Sequence, residues 1–143
     1  MQMRAGILAM IVSTVVVWGL SGLYYMVIVK DMMAVACKPF KDAGVMRSMD
    51  DLSPAIWLIP TFLLSWLLLR ILTQVPGLIA ASRGAVWGIT MALVFCIVHE
   101  IGWYMTFIHY DLQMSLMTCG WEIVQWGIGG ALMAVVYSKL YKA

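Results

Sequence analysis

The chain has 143 residues, 64% of them hydrophobic and only 11% charged, with a formal net charge of +2 and a mean hydropathy of +0.94. Soluble domains run nearer half apolar and a quarter charged, so this composition predicts an all-α protein, a transmembrane four-helix bundle. Four apolar stretches leave no length for a soluble catalytic domain or a nucleotide-binding unit, and the small net charge argues against a nucleic-acid partner.

One integral membrane domain over 1–143 is expected, with spans at about 5–29, 53–73, 84–108 and 112–137 and an outer loop at 30–52. The first span, Ala5 to Val29, would be about 37 Å long as a helix, more than a ~30 Å hydrocarbon core, and it ends on the interfacial pair Tyr24 and Tyr25. A secretory or lipoprotein signal, hinted at by Arg4 and by Ala34-Val35-Ala36-Cys37, is set aside: the apolar run is about twice a signal core, and Lys30 and Asp31 interrupt it. Ser53-Pro54 reads as an N-cap with proline at the first helical position of the second span, and Pro60 either kinks that helix or belongs to its first turns. Gln74-Val75-Pro76-Gly77 breaks that helix, and His109-Tyr110-Asp111 forms a tight hairpin between the last two spans.

The loop mixes Lys38, Lys41 and Arg47 with Asp31, Asp42, Asp50 and Asp51 around Met32, Met33, Met46 and Met49, a pattern that predicts an amphipathic surface segment. Four spans put both termini on one face. That face carries Arg4, Arg70, Arg83, Lys139 and Lys142 without an acidic residue, so both termini are assigned to the cytoplasm.

Intramembrane charges are rare, and here they are Glu100 and Glu122, with His99 beside the first. With Asp111 as the hairpin tip, each acid lies 11 residues from it, which predicts one depth for both. Gly84, Gly88, Ala92, Cys96 and Glu100 make a ridge of mostly small side chains; Ser115, Cys119, Glu122, Trp126 and Gly129 follow the helical period on the last span. Ser21, Ser65, His99, Glu100, Glu122 and Gln125 are therefore expected to form a polar intramembrane cluster, where a carboxyl must be protonated, paired or hydrated. Such a cluster serves either a proton or cation path or a hydrogen-bonded packing network.

No catalytic residue and no metal site is assigned. Cys37, Cys96 and Cys119 form no CxxC pair and predict no disulfide framework. His99 and His109 stand about 15 Å apart along one helix, too far to clasp one haem. Trp18, Trp66, Trp121 and Trp126 lie deep enough to fill space between helices or to touch a partner or a lipid cofactor, whereas Trp57, Trp87 and Trp103 lie near helix ends. Whether haem, pigment or quinone is bound is left open by the residues.

A first span closing on an aromatic pair and a basic segment (Trp18 to Lys38), a proline-entered second span, a glycine-led third span, and a fourth with Gly120-Trp121-Glu122 before Gly127, Gly129 and Gly130 resemble the small four-helix bacterial integral membrane proteins of unknown function. The resemblance covers most of the chain; it implies a bundle in a bacterial inner membrane and no particular activity. Gly84, Gly88, Gly127, Gly130, Ala131 and Ala134 are candidate helix-packing or partner-interface positions, because a glycine-rich face turned to lipid gains nothing over leucine. The leading expectation is a non-catalytic accessory subunit of a homo- or hetero-oligomeric membrane assembly. The alternative is a small proton- or cation-coupled transporter or channel using Glu100 and Glu122, and a haem-binding redox subunit ranks below both.

Overall fold

The computed structural model describes residues 2–44, 58–75, 79–106 and 112–141. The start of the second span at Ser53-Pro54, Trp57, the Pro76-Gly77 break and the His109-Tyr110-Asp111 hairpin lie outside these residues. Within them the chain is all α: α1 (Gln2–Leu23), a π-helical turn (Tyr24–Ile28), α2 (Lys30–Asp42), α3 (Leu58–Gln74), α4 (Ala81–Thr106) and α5 (Leu112–Tyr141). Three segments, Met3–Ile28, Ala81–Gly102 and Leu112–Tyr141, are long and apolar enough to cross a membrane; α3 is apolar and has 17 described residues.

α5 is the central post. It packs most extensively along α4 and next along α1, while α3 leans chiefly on α1. Buried Ala9, Val17, Leu68, Leu72, Met91, Ala92, Trp126, Met133 and Ala134 make the core. Large apolar side chains cover the outside, among them Val15, Leu63, Val94, Val98 and Leu116. A water-soluble protein would hide such residues, and a bilayer accepts them.

The α4–α5 seam is closed by glycine. A Cβ on Gly84 would strike the Gly130 carbonyl, one on Gly88 the Trp126 carbonyl, and one on Gly130 the Gly84 carbonyl. The helices therefore touch backbone to backbone, which lipid-embedded helices need because exchanging lipid for protein contacts brings no hydrophobic gain. The ridge through Gly84, Gly88, Ala92 and Cys96 faces α5, and Gly127, Gly130 and Ala134 lie on the α4 side of α5: Gly127 meets Ile89, and Ala134 is within reach of Gly84. Ala131 is half-buried.

At the other side of the post, Gly129 accommodates Val17 and Ser13 of α1, and Gly6 of α1 accommodates Leu69 of α3. The Arg83 guanidinium donates to the Val75 carbonyl and ties the end of α3 to the start of α4. Arg4, Arg70, Arg83 and Lys139 thus gather at one end of the bundle, and the π turn and α2 lie at the other.

The π turn places the Val29 N–H 3.0 Å from the Tyr24 carbonyl and lets the chain leave the bundle as α2. No α2 residue is buried: Met32, Met33, Ala36, Cys37 and Phe40 form a half-buried stripe, and Lys30, Asp31, Lys38 and Lys41 are exposed. This spacing suits a helix lying at a membrane surface, in keeping with the amphipathic segment expected there. Pro39 inside α2 has no N–H for the Val35 carbonyl one turn back, on the exposed face where headgroup or water can replace it.

Gly88→Leu is expected to lower stability by at least ~2 kcal/mol, because backbone must move to admit the side chain. Gly120→Leu, where a Cβ meets nothing within 4 Å, is expected not to lower stability and to raise it by up to ~1 kcal/mol, the helix cost of glycine. Steric-trap or denaturant unfolding in detergent distinguishes the two.

Candidate functional site

The polar residues of α5 recur at helical spacing, Thr118, Trp121 and Gln125, and each meets α1. The Ser21 hydroxyl donates to Gln125 Oε1 at 3.0 Å, the Tyr24 and Thr118 hydroxyls pair at 3.2 Å, and the Trp121 indole N–H donates to the Leu20 carbonyl at 3.2 Å. Tyr24 also stacks on Trp121, with ring centroids 5.4 Å apart and planes 12° apart. This ladder satisfies polar groups that would otherwise be costly in hydrocarbon. Tyr24, assigned from sequence to the interfacial belt, is instead 2% exposed, because its hydroxyl has an inward partner.

Glu100 is the most deeply buried charged residue described, at 2% exposure. Its Oε1 lies 3.0 Å from Nδ1 of His99, whose side chain is 64% exposed, so a buried carboxyl is coupled to an accessible imidazole. Consecutive helical residues point about 100° apart, and the flexible glutamate spans that angle. The Ser115 hydroxyl donates to the Glu100 carbonyl at 3.4 Å.

The register corrects the expected depth of the two acids. Gly84 meets Gly130, Gly88 meets Trp126, and Glu100 meets Ser115, pairs whose numbers add to 214 or 215. Glu122 therefore stands level with Ala92 and Leu93, about 10 Å along the axis from Glu100, and not at the depth symmetric about Asp111. It is half-buried and within electrostatic reach of both Glu100 and His99 without pairing directly at the same level.

The expected single cluster is thus strung out along the bundle. Ser21 joins Gln125, and Glu100 joins His99 and Ser115 about 15 Å further along α5. Ser65 belongs elsewhere: with Leu69 against Gly6, it is level with residues near Met10 of α1, far below Ser21. The Ser65 and Ser13 hydroxyls are both buried without a hydrogen-bond partner among the described residues. Among the described residues no three His, Cys, Asp or Glu side chains form a metal-binding group, and His109 lies outside them.

Nothing in the sequence alone assigns a role to Thr118, and Trp121 reads there as filling space or touching a partner or a lipid cofactor. The spacing of Thr118, Trp121 and Gln125 was the available signal, one stripe of hydrogen-bonding groups on an otherwise apolar helix. No known protein family, curated protein or solved structure matches the chain.

A double-mutant cycle of Tyr24→Phe with Thr118→Val is expected to give a coupling of about 1 kcal/mol, the range of interhelical hydrogen bonds in membranes. A cycle of Ser21→Ala with Gln125→Leu is expected to match it, read from unfolding in mixed detergent micelles.

Proposed function

We propose that the chain is a non-catalytic accessory subunit, crossing a bacterial inner membrane four times and working inside a homo- or hetero-oligomer. The observation that carries this reading is the outward placement of small residues. A Cβ added at Gly19, Gly22 or Gly120 would meet nothing within 4 Å, so these glycines serve no close approach among the described residues. Glycine costs helix stability of about 1 kcal/mol and offers lipid no surface, whereas a partner helix gains close approach from it. Gly22 and Gly120 also lie near one level, since Tyr24 pairs with Thr118 across the same two helices.

The basic end of the bundle supports cytoplasmic termini, with 30–52 outside. Cys37 on α2 reports this orientation. Burial pushes its thiol above the ordinary cysteine range, against a smaller opposing pull from Lys41, so labelling by an impermeant maleimide is expected to accelerate as pH is raised. Labelling is expected from the outer face of sealed cells, and labelling only from the cytoplasmic face would reverse the assignment.

Native mass measurement from membranes is expected to find the chain in a complex. Gly19→Leu and Gly22→Leu are expected to release it without lowering its thermal unfolding temperature. Monomer alone in native membranes, with both variants harmless, would remove the reading.

A second reading is supported by the coupling of buried Glu100 to exposed His99, which offers a proton an entry to an intramembrane acid. Under it, Glu100→Gln and Glu122→Gln abolish proton or cation flux in proteoliposomes; absent flux in the wild type excludes it.

A further inference from the structure

Two thiols lie on the seam between the glycine contacts and Glu100. Cys96 and Cys119 have residue numbers adding to 215, the same register as Glu100 with Ser115, and they therefore stand directly opposite. The seam is closed below them, where Gly88 abuts the Trp126 carbonyl, and above them the Ser115 side chain reaches the Glu100 carbonyl. Both thiols are free, and both line one groove between the two helices. A disulfide needs Cα atoms less than about 7 Å apart, and residues that stand opposite in this register are the ones on the two helices that can approach so closely.

The same two residues line a groove of about 440 Å³ between α4 and α5. Leu93, Ile101, Tyr104 and Leu116 form much of its wall, and all four are exposed on the outer, lipid-facing surface. A ligand reaching this groove from the bilayer must be apolar. The reaction available to a dithiol is a two-electron oxidation. These requirements together describe a lipid-soluble quinone.

We propose that Cys96 and Cys119 form a dithiol site that reduces a membrane quinone and closes a disulfide between α4 and α5. This goes beyond the accessory-subunit reading and does not depend on it. Cys119 is half-buried and Cys96 only 2% exposed, which orders the steps. The Cys119 sulfur adds to the quinone ring. The Cys96 sulfur then attacks that of Cys119; the S–S bond forms as the sulfur–ring bond breaks, and the electron pair leaves with the ring. The two thiol protons end on the two quinone oxygens as quinol, so the dithiol is oxidised by two electrons and the quinone reduced by two.

The test uses the purified full chain, reduced and then freed of reductant, in phosphatidylcholine liposomes with decylubiquinone as the probe. One quinone is expected to be consumed per chain, with loss of two alkylatable thiols, Cys96 and Cys119, both restored by dithiothreitol. Cys37 is the internal control and stays alkylatable. Cys96→Ser and Cys119→Ser are expected to consume no quinone above background, and Cys96→Ala supplies a second variant if serine perturbs the seam. The proposal is overturned if both thiols stay alkylatable after quinone. Undiminished consumption by folded single variants, or a disulfide formed with aqueous diamide but not with quinone, also overturns it.

Discussion

Where Gly88 lies against the Trp126 carbonyl, two helices meet with no side chain between them, and that contact fixes the register of α4 on α5. A slip by one residue would bring a side chain into the space the glycine leaves open. With Gly84 on Gly130 repeating the constraint about one turn away, the residues farther along the seam have no freedom of partner: Cys96 must face Cys119, and Glu100 must face Ser115. In lipid, where packing and internal hydrogen bonds replace the hydrophobic drive, such contacts set geometry that soluble cores set by burying large side chains.

α5 can be the post of the bundle because its two contact stripes differ in chemistry. The stripe through Ser115, Cys119, Trp126 and Gly130 meets α4 and includes the backbone approach. The stripe through Thr118, Trp121, Gln125 and Gly129 meets α1 and carries the hydrogen bonds. The π turn serves the second stripe. It begins at Tyr24, widens the helix where the Tyr24 hydroxyl reaches Thr118, and is followed by α2, which departs with its half-buried stripe on one side.

Much of this was legible in the sequence. Apolar length gave the long helices, and four-residue spacing gave the ridge from Gly84 to Glu100. The direction in which a stripe faces was harder to read, because a span apolar all round has no amphipathic face to orient it. Gly127, Gly130 and Ala134 therefore looked available to a partner although they abut α4, while the outward glycines Gly19 and Gly22 drew no notice. The depth of Glu122 escapes the sequence for a related reason. Centring the hairpin on Asp111 requires level residues to have numbers adding to 222, whereas the observed contacts pair residues adding to 214 or 215. Tyr24 illustrates a third limit: an aromatic near a span's end reads as interfacial until the hydroxyl that receives it, here Thr118, is placed opposite.

The α4–α5 pair also separates rigidity from chemistry. Its lower part, around Gly84, Gly88 and Gly130, is closed backbone to backbone, with no polar side chain in the contact. Its upper part is separated by side chains, opens into an apolar groove, and holds Cys96, Cys119, Ser115, Glu100 and His99. A change in the upper part, whether in protonation or in covalent linkage, acts across a gap that side chains can widen or narrow. The same change in the lower part would have to move backbone against backbone. The closed end acts as a fixed anchor, so side-chain rearrangement along the groove can leave intact the register that keeps its residues opposite one another.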